Sequence, residues 1–126
     1  MRDLKNNVGA FESVRPAVQS ATVTGETVDA LGFGVVMAVV QTGAIVSAGD
    51  FTAKIQDSDD GATWADVADT DLIGTLSETL TANTVERVGY VGEGRYVRVV
   101  LTKNGGTSVA ASAVVVLGRP ALAPVP

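Results

Sequence analysis

The chain of 126 residues contains no cysteine and no histidine. Without cysteine there is no disulfide framework, no thiolate nucleophile and no thiolate metal site. Without histidine there is no Ser-His-Asp triad, no Cys-His pair, no imidazole zinc site and no histidine-based pH switch. Catalysis would have to run on carboxylates, Lys, Tyr, Ser or Thr alone, so the expectation is that the chain is not an enzyme. Aromatics are scarce, with one Trp, two Tyr and three Phe, and most of these rings should be spent in or against the core. Positive charge is also short. Nine Lys and Arg stand against 14 Asp and Glu, a net charge of −5, which speaks against general attraction to nucleic acid or anionic lipid.

A long hydrophobic run is missing too. The most apolar segment, LGFGVVMAVVQTGAIV from Leu31 to Val46, is broken by three glycines and a Gln. It falls short of the roughly 20 residues a spanning helix needs. The opening MRDLKNNVGAFESV has mixed charge and lacks the apolar stretch of a secretory signal. These features predict a soluble chain with no membrane partner. The length suits one domain, able to bury about two thirds of its unfolded surface in a single core.

What remains is the composition of strands and tight turns: Val and Thr throughout, with 14 Gly. Alternation predicts strands near 17–23, 27–30, 34–42, 51–57, 64–67, 85–91, 95–103 and 110–117. In FTAKIQD, Phe51, Ala53 and Ile55 fall on one face and Thr52, Lys54 and Gln56 on the other. The runs 34–40 and 114–117 are continuously apolar, as expected for central strands covered on both faces. The stretch 69–80 reads as a connection with at most a short helical turn. The expected fold is all-β: a single-domain antiparallel β-sandwich of jelly-roll type over residues 17–118.

The ends read differently. Residues 1–16 are polar with apolar anchors at Leu4, Val8, Phe11 and Val14, and are expected to form an extended arm. The tail 119–126, GRPALAPVP in its context, has three prolines in its last seven residues. Such a segment is suited to a polyproline-like arm rather than a sheet interior. Either arm can order against a neighbouring molecule.

The stretch DSDDGATW, Asp57 to Trp64, admits three readings: a calcium loop, a carboxylate pair or a turn. An EF-hand loop needs a bidentate Glu at its twelfth position, and counting from Asp57 that position is Ala68. No second acid is placed across a cleft as a glycosidase pair requires. Asx chemistry and a glycine able to take positive φ favour a turn between two strands, with no metal and no cofactor. The stretch resembles the Asp-box hairpin of sialidase-type propellers, S-x-D-x-G-x-T-W. Asp59, Gly61, Thr63 and Trp64 match it, and Asp57 stands where serine is usual. That resemblance implies a structural role, with the acid and Thr bracing the turn.

Further on, VGYVGEGRYVRVVLT reads as a second hairpin turning at Gly92–Gly94. Its RYVRVV resembles a structural strand of discoidin-like and family 32 carbohydrate-binding jelly rolls. Alternation there puts Arg98, along with Arg87, on an outer face where a partner could meet it. Trp64, Tyr90 and Tyr96 are candidates for a sugar-stacking platform.

Taken end to end, the chain resembles the head decoration, cement or minor capsid proteins of tailed bacteriophages. The resemblance is carried by MRDLKNNV, KIQDSDDGATWADV, VGYVGEGRYVRVVLT and VVVLGRPALAPVP, in that order. It implies a structural virion protein on the outer surface of the capsid, made in the host bacterial cytoplasm. Its partner would be the major capsid protein at capsomer junctions, which the chain would bind as a homo-oligomer, trimer or dimer. The residues expected to meet partners are Leu4, Val8, Phe11, Val14, Arg98, Leu122 and Val125. The alternative is a carbohydrate-binding or adhesin-like β-sandwich module of a phage tail or secreted protein. A small carboxylate-dependent hydrolase is a third reading.

Overall fold

The structure is a computed structural model that describes residues 2–125. In chain order it contains β1 (Val8–Gln19), β2 (Val23–Thr24), β3 (Val28–Asp29), β4 (Phe33–Val46), β5 (Asp50–Ser58) and β6 (Ala65–Asp66). A 3-10 turn at Asp69–Asp71 follows, then β7 (Leu72–Ile73), β8 (Val85–Tyr90), β9 (Tyr96–Gly105) and β10 (Ser108–Pro120). These strands form two antiparallel sheets, the first ordered β1-β10-β4-β8-β7 and the second β2-β9-β5-β6, with β3 also on β9. The protein is an all-β sandwich.

Each sheet contributes one face to a shared core. The first sends in Val14, Ala38, Val40, Val88, Val115 and Leu117; the second sends in Phe51, Ile55, Val97, Val99 and Leu101, and Leu80 enters from the β7–β8 connection. Burial alternates along β5 and β10 with a period of two, as a half-covered strand requires. The alternation read from FTAKIQD is therefore the observed one.

Two expectations about the chain ends need correction. Residues 8–16 are not an arm, because β1 starts at Val8 and pairs with β10 along the edge of the first sheet. Val14 is 1 % exposed and belongs to the core. The reading failed because β1 carries register shifts between Glu12 and Val14 and between Val14 and Ala17. Each extra residue throws the alternation out of phase, as in the spacing of three between Phe11 and Val14. Pro16 lies within the second irregularity of this edge strand, where a missing N–H is tolerated. At the other end, Arg119 and Pro120 still belong to β10, with Pro120 opposite Phe33. The expected tail is thus shorter by two residues.

Ser13 fastens the β1 edge across the sandwich. Its Oγ accepts the Val99 N–H at 2.9 Å and donates to the Glu26 carbonyl at 3.1 Å, while its own carbonyl accepts the Glu26 N–H at 2.6 Å. Gly25 sits in the same crossing. A Cβ there would collide with Ser13 Oγ and lie 2.5 Å from the Val99 carbonyl oxygen, so the close approach requires glycine.

Candidate functional site

The acidic stretch is a hairpin turn between β5 and β6, with Asp57 opposite Ala65 and Gln56 opposite Asp66. Its bracing differs from the expected pattern. Asp60 Oδ1 accepts the Ala62 and Thr63 N–H groups at 2.8 and 2.9 Å, and Ser58 Oγ accepts the Gly61 N–H at 2.8 Å. These bonds, the Thr63 amide first, hold the Asp60 carboxyl below the usual carboxylate range. Asp59 and the Thr63 side chain, expected to brace the turn, make no hydrogen bond among the described residues; their neighbour Asp60 takes that role. Gly61 has φ +78°, the left-handed conformation that a glycine turn allows.

Asp57 instead reaches across the sandwich. Its Oδ2 accepts the Tyr90 hydroxyl at 2.6 Å, and that hydroxyl oxygen accepts the Gly94 N–H at 2.7 Å. Burial, then the bond to Asp57, pushes the Tyr90 phenol well above its ordinary pKa. The Gly92–Gly94 stretch is therefore not a hairpin turn. It carries the chain from β8 in the first sheet to β9 in the second, and Asp57 pins that crossing to the acidic turn. Sequence periodicity shows which residues share a face but not which strands pair.

The outer face of the second sheet is polar and self-satisfied. Arg98 donates twice to Gln56 Oε1 at 2.9 and 2.7 Å, and Gln56 donates to Asp66 Oδ1 at 2.9 Å. Lys54 completes the row at 3.1 Å from Asp66. These contacts, that from Gln56 first, lower the Asp66 pKa. The Arg98 guanidinium also lies 4.1 Å from the Trp64 ring centroid. Arg98, expected to meet a partner, is thus engaged within its own chain. The three rings do not make a common platform either: Arg98 covers Trp64, Arg95 stands 4.9 Å over Tyr96, and Tyr90 is buried.

The outer face of the first sheet is apolar. Directly paired residues share a face, so the register defines rows across it. One row reads Ala10, Val116, Met37, Gly89, Ile73; the next reads Glu12, Val114, Val39, Arg87. Ser112 and Gln41 pair beyond them, and Val35 lies at the other end opposite Gly118. Val35 is 46 % exposed and Ile73 66 %. These are residues that sequence reasoning missed as surface. For Val35 the signal is the unbroken apolar run of β4, which looks like a strand covered on both sides; within this chain one side is covered. Arg87 and Arg98, expected on one face, lie on the outer faces of different sheets.

The chain ends meet. Asp3 accepts the Asn6 N–H at 3.1 Å and the Asn6 Nδ2–H at 2.7 Å, closing a turn, and the Val125 N–H donates to the Asn6 carbonyl at 2.8 Å. Of the residues expected to contact partners, Leu4 (60 %), Phe11 (41 %) and Leu122 (86 %) are exposed. Val8 is half-buried, Val125 is buried at 7 %, and Val14 is core. Phe11 packs edge-on against Phe33 with centroids 6.4 Å apart.

A shallow cleft of ≈ 530 Å³ lies between the β3–β4 loop and the Gly92–Arg95 crossing, with Leu31, Phe33, Ile73 and Tyr90 among its lining. Its cation, Arg95, is held by both oxygens of Asp29 at 3.0 and 2.8 Å. Among the described residues no group of three or more acidic side chains is placed to hold a metal ion, and no helix is long and apolar enough to cross a membrane. No protein-family model matches the chain, and no curated protein matches it significantly.

Proposed function

We propose that this is a structural virion protein, decorating and stabilising the outer surface of a tailed-phage capsid by binding the major capsid protein at capsomer junctions. The chain-wide resemblance carried by MRDLKNNV, KIQDSDDGATWADV, VGYVGEGRYVRVVLT and VVVLGRPALAPVP motivates the reading. The observation that carries it is the joining of the two chain ends by the Val125–Asn6 bond, with Leu4 and Leu122 left exposed beside it. A sandwich that displays apolar groups on its joined ends is suited to docking on a larger surface. Contacts repeated over a symmetric shell hold firmly even when each is modest.

Expanded capsids lacking the protein, incubated with it and imaged by cryo-electron microscopy, test the reading. Regular density at capsomer junctions is expected, weakened by Leu4→Asp and Leu122→Asp. Point changes are the suitable probe, because deleting residues 1–14 would also remove Val14 from the core. Bare capsids at saturating protein would overturn the reading.

A further inference from the structure

We propose that the outer face of the first sheet is where two copies of this chain pack, about a two-fold axis parallel to the strands and above the β10–β4 seam. The first ground is the sequence of the two central strands. FGVVMAVV in β4 and AVVVL in β10 are apolar at inward and outward positions alike. An antiparallel sheet with a solvated face alternates apolar and polar residues, as β5 does with Lys54 and Gln56 outward. β4 and β10 break that rule at Val35, Met37, Val39, Val114 and Val116.

The second ground is size. Four strands at about 4.8 Å spacing and about 27 Å of strand length give a planar footprint of about 500 Å². That lies in the range of patches that are functional on a monomer, about 300–600 Å².

The third ground chooses the occupant. In the row Glu12, Val114, Val39, Arg87, the two charges occupy the outer strands and flank the β10–β4 seam symmetrically. An axis parallel to the strands over that seam exchanges the two edges. It sets Glu12 of each copy against Arg87 of the other, Val114 against Val39 and Val116 against Met37. It also brings Ser112 opposite Gln41 and Ala10 opposite Gly89, polar with polar and small with small. An axis across the strands through this row would instead oppose Glu12 to Glu12 and Arg87 to Arg87. The charges select the first arrangement, and the face is complementary to itself. Arg87 has no ion-pair partner among the described residues. Glu12 has one exposed contact, Oε2 to Arg15 at 3.4 Å, a pair of little energetic weight, and its Oε1 remains for a second cation. Two such sheets would pack about 10 Å apart, with the twist of each inclining its mean strand direction about 15° to the axis, half the roughly 30° of aligned sandwiches.

The proposal does not depend on the capsid reading, since a dimer that leaves capsids bare would sink only the latter. Sedimentation velocity on the full chain tests it. The unmodified chain should sediment as a dimer. Glu12→Arg or Arg87→Glu alone should raise the dissociation constant by about tenfold, and the double reversal should restore it. Val39→Lys should give a monomer with unchanged circular dichroism; if that variant fails to fold, the two exposed charge reversals still decide. A chain that is monomeric at every concentration, or trimeric, overturns the proposal. So does a dimer indifferent to either reversal, or one not restored by the pair. A monomer that nonetheless coats capsids would assign this face to the shell and likewise overturn it.

Discussion

The two outer faces of this sandwich are built from the same strand chemistry and solve opposite problems. On the second sheet, Lys54, Asp66, Gln56 and Arg98 satisfy one another in a continuous row, closed by the stacking of Arg98 on Trp64. That face presents groups already paired, so a partner would have to compete with intramolecular bonds. On the first sheet, Met37, Val39, Val114 and Val116 present hydrocarbon, with Glu12 and Arg87 at the margins. Water meets that surface at a cost that a second layer would remove. A closed polar face and an open apolar one thus lie back to back.

The comparison is sharpened most by two neighbouring residues of β10. Leu117 is 0 % exposed, and Leu117→Ala should destabilise the fold by about 2–5 kcal/mol through lost burial and a residual cavity. Val116 points the other way. Val116→Thr should change the stability of the isolated subunit by less than about 0.5 kcal/mol while weakening self-association. Denaturant unfolding beside sedimentation separates the two effects. Equal losses of stability would mean that the outer face is covered within the chain.

A smaller effect is expected on the polar face. Arg98→Ala removes both bonds to Gln56 and the contact with Trp64, and should cost about 1–2 kcal/mol in chemical denaturation. It should leave the oligomeric state alone, and a change in sedimentation would contradict the view that this face is closed.

The smallest effect is acid sensitivity, which the comparison assigns to the second sheet and the turns around it. Asp66 is lowered by Gln56 and Lys54, Asp29 by Arg95, and Asp60 by the Thr63 amide. A carboxylate depressed in the folded state contributes stability that is fully present above its unfolded pKa of about 3.9 and lost as pH falls through the folded value. Unfolding free energy should therefore be flat above about pH 5 and decline below about pH 4. Asp66→Asn should lessen that decline, and an unchanged pH slope would remove Asp66 from the account.

Much of this arrangement was legible in the sequence where it rests on local pattern. Phe51, Ala53 and Ile55 announced an inward face, and DSDDG a turn. What was illegible depended on pairing between distant segments. The two register shifts hid β1 inside an apparent arm. The Gly92–Gly94 stretch looks like a hairpin turn because turn residues do not record whether the next strand returns to the same sheet. The Asp-box likeness drew attention to Asp59, whereas Asp60 has the geometry to accept the turn's amides. The runs in β4 and β10 have the pattern of strands covered on both sides, and the fold covers only their inner side.

The most direct test of that open face uses the absence of cysteine from the chain. Full-length protein carrying Met37→Cys is mixed with full-length protein carrying Val116→Cys and treated with a short bis-maleimide. The two-fold packing predicts linked heterodimers well above the two-to-one excess over each homodimer that random pairing of equal amounts gives, because each copy's residue 37 faces residue 116 of the other. No linked dimer, or linked species in the random 1:2:1 ratio, from protein shown to be folded would contradict it.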